Sequence, residues 1–300
     1  MYAIIGASGN TGKVVAGKLL AHGENVRVIG RDAKRLERLV QKGAEAFVAD
    51  AADGAWLTQA FSGARAVYLM IPPNPAHPNV REDQERVSDA LVAAVQNAGV
   101  EYAVVLSSIG ADKPANTGPV IGLHNLEQKL NGVAALKAVY LRAGYFMENI
   151  LPQAMIIKSF GVTGGPLRGD LKVAMIASED IGAVAAEALL KLDFSGKHSR
   201  ELQGQRDLTY NEVASVIGQA IAKPDLGYMQ LGPAQFKPAL VQAGMSANMA
   251  DLILEMAESL NSGYMAALEP RSAQNTTSTS IETFIAGQFV PLFTAKAASA

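Results

Sequence analysis

Tyr2-Ala3-Ile4-Ile5-Gly6-Ala7-Ser8-Gly9-Asn10-Thr11-Gly12-Lys13 is the stretch on which the reading of the chain turns. Tyr2 to Ile5 is a short apolar run of β-formers, the pattern of a strand buried on both faces. Lys13 to Leu20 has helical spacing, with Val14, Val15 and Leu19 inward. The first turn of such a helix holds a pyrophosphate well, because unpaired backbone N–H groups and the positive dipole end point at it. Gly6 permits the sharp turn, Gly9 lets backbone approach phosphate oxygens, and Gly12 lets helix pack tightly on strand. The spacing is G-x-x-G-x-x-G rather than the usual G-x-G-x-x-G. A glycine triplet alone also fits any tight strand-to-helix connection, but here strand precedes and helix follows, which favours a dinucleotide site.

Outward from this loop, strand and helix keep alternating. Strands are expected at Asn25–Gly30, Ala46–Ala49, Ala66–Ile71 and Tyr102–Leu106, with helices at Ala33–Gln41 (capped by Asp32), Trp56–Phe61 and Glu82–Ala98. Pro72-Pro73-Asn74-Pro75 forces an extended loop. The pattern predicts an α/β fold, a Rossmann-like doubly wound parallel sheet whose ligand lies across the strands' carboxyl ends. Those ends are Gly6, Arg31, Asp50, Pro72 and Ser107. Beyond Gly110 the order loosens: a helix at Leu123–Leu130, a sixth strand at Ala138–Leu141, a helix from Ile150 to Ser159, a strand at Val173–Ile176, a helix to Leu192 and a short strand at Glu201–Gln203. Thr209-Tyr210-Asn211-Glu212 is a capping box, and Pro233–Tyr264 is helical and methionine-rich, as core filler or as an adaptable pocket wall. Past Thr294 an Ala-rich tail reads as frayed. The domain reading is a core over 1–150 and a small, mostly helical substrate or partner lobe over 151–300, with about 173–203 returning to the core.

Net charge −2, with no Lys/Arg stripe, gives no electrostatic case for nucleic acid. The absence of cysteine excludes disulfides, thiolate metal sites and cysteine nucleophiles, and no metal site is expected. No apolar run approaches the ~20 residues that span a bilayer, and the first strand begins at residue 2 without a leader, so a soluble cytoplasmic protein is expected. Oligomeric state stays open, a homodimer being one option.

An acidic residue at the end of the second strand would hold the ribose hydroxyls of NAD; this chain has Gly30-Arg31. Arg31 can pair bidentately with a 2′-phosphate, supported by Lys34 or Arg35, which favours NADP(H); otherwise these are solvated charges. Asp50 either accepts from the adenine amino group or caps a helix. Ile71 and Pro72 form an apolar ledge where the chain passes ribose and nicotinamide.

These residues resemble the NmrA-like family, an atypical branch of the short-chain dehydrogenase/reductase superfamily. The resemblance rests on Gly6–Gly12, Gly30-Arg31, Asp50, Leu106-Ser107-Ser108, His124…Glu127…Leu130, Leu141–Asn149 and Glu179-Asp180-Ile181. It implies cofactor contacts at Gly6, Ser8, Gly9, Asn10, Thr11, Gly12, Arg31, Asp50, Ala51, Ile71, Pro72, Pro73 and the Tyr145, Phe146, Asn149 segment. It also implies NADPH-dependent reduction, as in the family's quinone oxidoreductases, or redox sensing. The superfamily's Tyr-x-x-x-Lys pair is gone: aligned on Glu127, its positions hold Pro119 and Leu123.

Hydride transfer to a carbonyl needs a donor at the developing oxyanion. The candidates are Ser107, Ser108, His124 and Tyr145; the serines are read as bonding backbone or cofactor, while His124 and Tyr145 are the catalytic candidates beside plain helix-end and core readings. A quinone relaxes the requirement, since water can supply its proton. Reduction of a quinone or other activated small molecule is therefore the first expectation. A non-catalytic NADP(H) sensor acting through a protein partner is the alternative. A sugar-nucleotide epimerase would need the missing pair.

Overall fold

A computed structural model describes residues 1–295; the tail beyond them lies outside the described residues. The continuous apolar runs become strands because each, apart from the exposed edge strand over 45–48, is covered on both faces. β1 (Tyr2–Ile5), β2 (Val26–Gly30), β3 (Glu45–Val48), β4 (Ala66–Leu69), β5 (Tyr102–Ser108) and β6 (Lys137–Ala143) alternate with α1 (Asn10–Ala21), α2 (Ala33–Val40), α3 (Gly54–Phe61), α4 (Val80–Asn97) and α5 (Ile121–Asn131). Then follow β7 (Tyr145–Phe146), α6 (Gln153–Phe160), β8 (Thr163–Gly165), β9 (Val173–Ile176), α7 (Ser178–Lys191), β10 (Lys197–Leu202) and β11 (Asp207–Leu208). The chain closes with α8 (Tyr210–Ala220), β12 (Tyr228–Gln230), α9 (Pro233–Gln242), α10 (Ala247–Asn261), α11 (Ile281–Phe284) and α12 (Val290–Thr294).

The central sheet has seven strands in the order β10-β6-β5-β4-β1-β2-β3, every pair parallel. It is the Rossmann-like sheet expected from the alternation. Side chains two apart share a face. Tyr2, Ile4, Val28 and Tyr68 pack under α1 and α7, whereas Ala3, Ile5, Ile29 and Val67 pack under α3, α4 and α5. The order reverses between β1 and β4, which opens the crevice there.

The later chain departs from the sequence reading in three places. The stretch 173–203 divides: α7 packs on α1 and β10 joins the sheet edge, but β9 pairs with β7 and β11 in a separate small sheet. The expected helix from Ile150 starts as a 3-10 turn (Met147–Ile150) and resumes only at Gln153, because Pro152 cannot donate within a helix. The edge strand β10 runs Lys197–Leu202 rather than Glu201–Gln203. The second lobe has its own core, with Met147, Ile157, Val213, Ile217, Phe284 and Phe289 buried together.

Candidate cofactor and substrate site

α1 begins at Asn10, three residues earlier than its apolar spacing suggested, with extended Gly9 as N-cap. The first intrahelical bond runs from Lys13 N–H to Gly9 O at 3.1 Å, so the N–H groups of Asn10, Thr11 and Gly12 lie outside the ladder, next to the cavity that Gly6, Ser8 and Gly9 line. No side chain caps this end. Gly6 takes φ +66°, and a Cβ on Gly12 would lie 2.3 Å from the Gly6 carbonyl oxygen. The loop is thus closed by its own backbone, a tighter constraint than the helix-on-strand packing expected of Gly12. Thr11 is buried and its hydroxyl accepts from Tyr68 at 2.9 Å, while Asn10 is exposed.

Three neighbouring cavities follow the carboxyl rim. The first, about 250 Å³, is lined by Gly6, Ser8, Gly9, Arg31, Ala51 and Pro72, and Arg35 joins them where Lys34 does not. Arg31 and Arg35 are exposed and have no ion-pair partner among the described residues. Lys34 gives its backbone N–H to the Asp32 carboxylate, the cap of α2. Asp50 is exposed and accepts from Ala52 N–H at 2.9 Å, closing a turn; the helix cap is Asp53. Ala49 and Ala51, on either side of Asp50, line the cavity.

The second cavity, about 310 Å³, adds Ile71, Pro73, Ser107, Phe146, Asn149 and Met249 to the wall. Pro119 and Leu123, at the positions of the absent Tyr and Lys, contribute apolar surface to it. The proline ledge is fixed from beneath: Asn74 Nδ2 donates to Asp83 at 2.9 Å, and the buried Asp83 also pairs with Arg86 at 2.7 Å. Despite its burial, Asp83 keeps its carboxyl below the usual range through bonds from Arg86 and Asn74.

Ser107 does not present a free hydroxyl. Its Oγ donates at 2.5 Å to Glu127, and Glu127 receives Arg142 Nε at 3.1 Å and Nη2 at 2.6 Å. Ser107 and Arg142 are register partners on β5 and β6, so the buried Glu127 carboxylate on α5 bridges two strand tips. The sequence offered this carboxylate only as an alignment anchor.

The third cavity, about 300 Å³, lies between the strand tips and the second lobe, with Ser108, Tyr145, Lys172, Asp207, Met256 and Met265 on its wall. Tyr145 stands edge-on to Tyr210 at 6.3 Å between centroids, and Tyr210 stacks on Tyr228 at 4.8 Å. Burial raises the Tyr145 phenol pKa, partly offset by the Tyr210 and Asn149 side chains, so it stays protonated at neutral pH. His124 is placed differently. Its Nδ1 lies 2.8 Å from the Ala111 carbonyl, which makes Nδ1 the protonated donor, and the ring lines none of the three cavities.

Two acids of the resemblance motifs have architectural work. Glu148 accepts from Ser178 N–H at 3.0 Å and from its hydroxyl at 2.5 Å, covering the N-terminus of α7. Asp180 accepts from Thr279 N–H at 3.0 Å and from its hydroxyl at 2.7 Å. Lys172, Tyr210, Met256 and Met265 escaped the sequence reading as site residues. Only the methionine enrichment of 233–264 hinted at Met256, and Met265 lies just beyond it. Among the described residues no group of three or more His, Asp or Glu could hold a metal, and no helix is long and apolar enough to cross a membrane.

The whole architecture is shared with solved proteins. An NADPH-dependent quinone oxidoreductase from Escherichia coli, complexed with NADPH, is similar at 24% identity over 94% of this chain and 97% of its own, with a TM-score of 0.79. The Citrobacter sp. triphenylmethane reductase complexed with NADP(H) is similar at 16% identity over 95% of this chain and 99% of its own, TM-score 0.79. A doubly substituted NmrA is similar at 15% identity, covering 97% of this chain and 95% of its own, TM-score 0.71. Comparison with curated proteins finds no match. The profile of the NmrA-like family matches residues 2–285, from the first strand through the second lobe, and the chain belongs to that family.

Proposed function

We propose that this protein binds NADP(H) along the rim and reduces a quinone or another activated small molecule in the third cavity. The observation that carries the reading is the row of three cavities. The unladdered N–H groups of α1 and the exposed guanidinium of Arg31 lie at one end, and the protonated phenol of Tyr145 at the other.

The residues present fit such a cofactor. The backbone of Asn10 to Gly12 suits the pyrophosphate, Arg31 with Arg35 suits the 2′-phosphate, Ala51 and the Asp50 turn flank the adenine position, and Ile71, Pro72 and Pro73 give a rigid shelf. Ser107, Phe146 and Asn149 line the nicotinamide end. Bound there, NADPH supplies a hydride from its C4.

Quinone reduction consumes one hydride and one proton, giving the hydroquinone and NADP⁺. With Pro119 and Leu123 in place of the usual pair, the second cavity's wall offers no lysine to prime a tyrosine. Tyr145 donates a hydrogen bond to the developing oxyanion, and water restores the proton. His124 is the weaker candidate for this role because it stands off the cavities. The electrophilic ring lowers the demand on the acid, and the Met256 and Met265 wall adapts to flat rings.

Steady-state NADPH oxidation over a quinone and enone panel tests the reading. Turnover with at least one acceptor is expected, and no turnover with any contradicts it.

A non-catalytic redox sensor is the second reading, favoured by the link between ledge and lobe. Ser246 N–H donates to Pro75 O at 2.9 Å, Asn248 Oδ1 accepts from Val80 N–H at 2.9 Å, and Glu255 holds both Arg81 and Gly118 N–H. A partner reading α10 would then report the state of the ledge. This requires different affinities for NADPH and NADP⁺, and equal affinities contradict it.

A further inference from the structure

The third cavity carries a charge that the reductase reading does not use. Two charged side chains, Lys172 and Asp207, stand on its wall, and the rest includes Leu171, Met256, Leu260 and Met265. Asp207 is neutralised by an ion pair with Arg271, whose guanidinium also bonds the Gly204 carbonyl at 2.5 Å. Lys172 has no carboxylate within ion-pair distance and no side-chain hydrogen bond among the described residues. The carboxylate that feels its charge, Glu212, is committed to the cap of α8, accepting Thr209 N–H at 2.7 Å. Asp170, two residues away, is paired with Arg168 at 3.0 Å. The cavity therefore has one uncompensated positive charge at its exposed side and thioether and aliphatic surface within.

We infer that the third cavity selects a flat electrophilic ring carrying an anionic substituent, a carboxylate or sulfonate, with Lys172 as its counter-charge. The inference rests on the reductase reading for the fate of the ring, but the recognition of the anion does not depend on turnover. Its size is consistent: about 300 Å³ is at the small end for small-molecule sites and takes one or two fused rings. Because Lys172 is exposed, its pairing is worth only a factor of about five and is screened by salt.

The test compares 1,4-naphthoquinone-2-sulfonate with 1,4-naphthoquinone as NADPH-dependent acceptors, in the wild type, Lys172→Met and Lys172→Arg. The sulfonate also makes the ring more electrophilic, so the quantity read is the change in the sulfonate-to-neutral ratio of kcat/KM between variants. Lys172→Met should lower that ratio about fivefold at low ionic strength, mainly through KM of the sulfonate, and Lys172→Arg should retain it. In ~0.5 M salt the gap should shrink. An unchanged ratio in Lys172→Met overturns the inference. If neither quinone is turned over, the reductase reading fails, and calorimetric binding of naphthalene-2-sulfonate to the NADP⁺-loaded protein decides the matter. Weaker binding to Lys172→Met supports the anion subsite, and equal binding overturns it.

Discussion

Arg31 and Glu127 show how differently two charged residues serve one rim. Arg31 is exposed and has no ion-pair partner among the described residues, so in the proposed reading its charge acts on the ligand's phosphate. A charge-assisted hydrogen bond contributes about 1.5–3 kcal/mol. Arg31→Ala should therefore weaken NADPH binding by about 10- to 100-fold while changing NADH binding little, a comparison fluorescence titration makes directly. Glu127 is buried with two partners, and its removal leaves the Arg142 guanidinium poorly compensated. Glu127→Gln should destabilise the fold by about 3–5 kcal/mol in urea titrations, because breaking one side of a buried pair costs more than the pair contributes. At the far end of the rim is Tyr145, whose phenol burial keeps neutral. Tyr145→Phe should lower kcat with weakly electrophilic acceptors by about 10- to 100-fold and affect strongly electrophilic quinones less, since the latter need less help at oxygen.

At the level of elements, α10 is tied by hydrogen bonds to the start of α4 and to Gly118. Glu255 grips Arg81 at 3.0 and 2.9 Å and Gly118 N–H at 3.1 Å, and a Cβ on Gly118 would fall 2.0 Å from Leu252 O. Gly118 also takes φ +58°. Gly118→Ala should cost about 2–4 kcal/mol, combining overpacking with left-handed strain, read as a lower urea midpoint. Near the other end of the chain, α11 is fastened by Glu282, whose carboxyl Arg206 holds down at about 2. A depressed carboxylate stabilises above its unfolded pKa of 4.5 and loses that contribution as pH falls through 2. Amide protection over 281–289 should fall across that acid window in the wild type, and Arg206→Ala should lower protection at neutral pH and remove the acid dependence. Glu282 is half exposed, so its contribution to stability is small.

For the whole molecule, legibility in the sequence followed covalent locality. The glycine loop with its strand and helix, the alternation from β1 to β5 and the turn at Pro72–Pro75 each follow from patterns among neighbouring residues, and these structural features could be read. Strands buried on both faces announced themselves as apolar runs, while β10, exposed at His198 and Ser199, carried no such signal. The three-residue β8 and β12 are too short to register, and β8 carries two glycines. The third cavity was illegible for a different reason: Tyr145, Lys172, Asp207, Met256 and Met265 are far apart in the chain and meet only in the folded protein. His124 looked like an active-site residue because it follows the fifth strand, but its Nδ1 serves the Ala111 carbonyl.

The central claim is that the strand tips hold a dinucleotide bearing a 2′-phosphate. Isothermal titration of the protein with NADPH and NADH in parallel tests it most directly. Saturable one-to-one binding of NADPH, at least tenfold tighter than NADH, is the expected result. Equal affinities, tighter NADH binding, or no heat with either would contradict it.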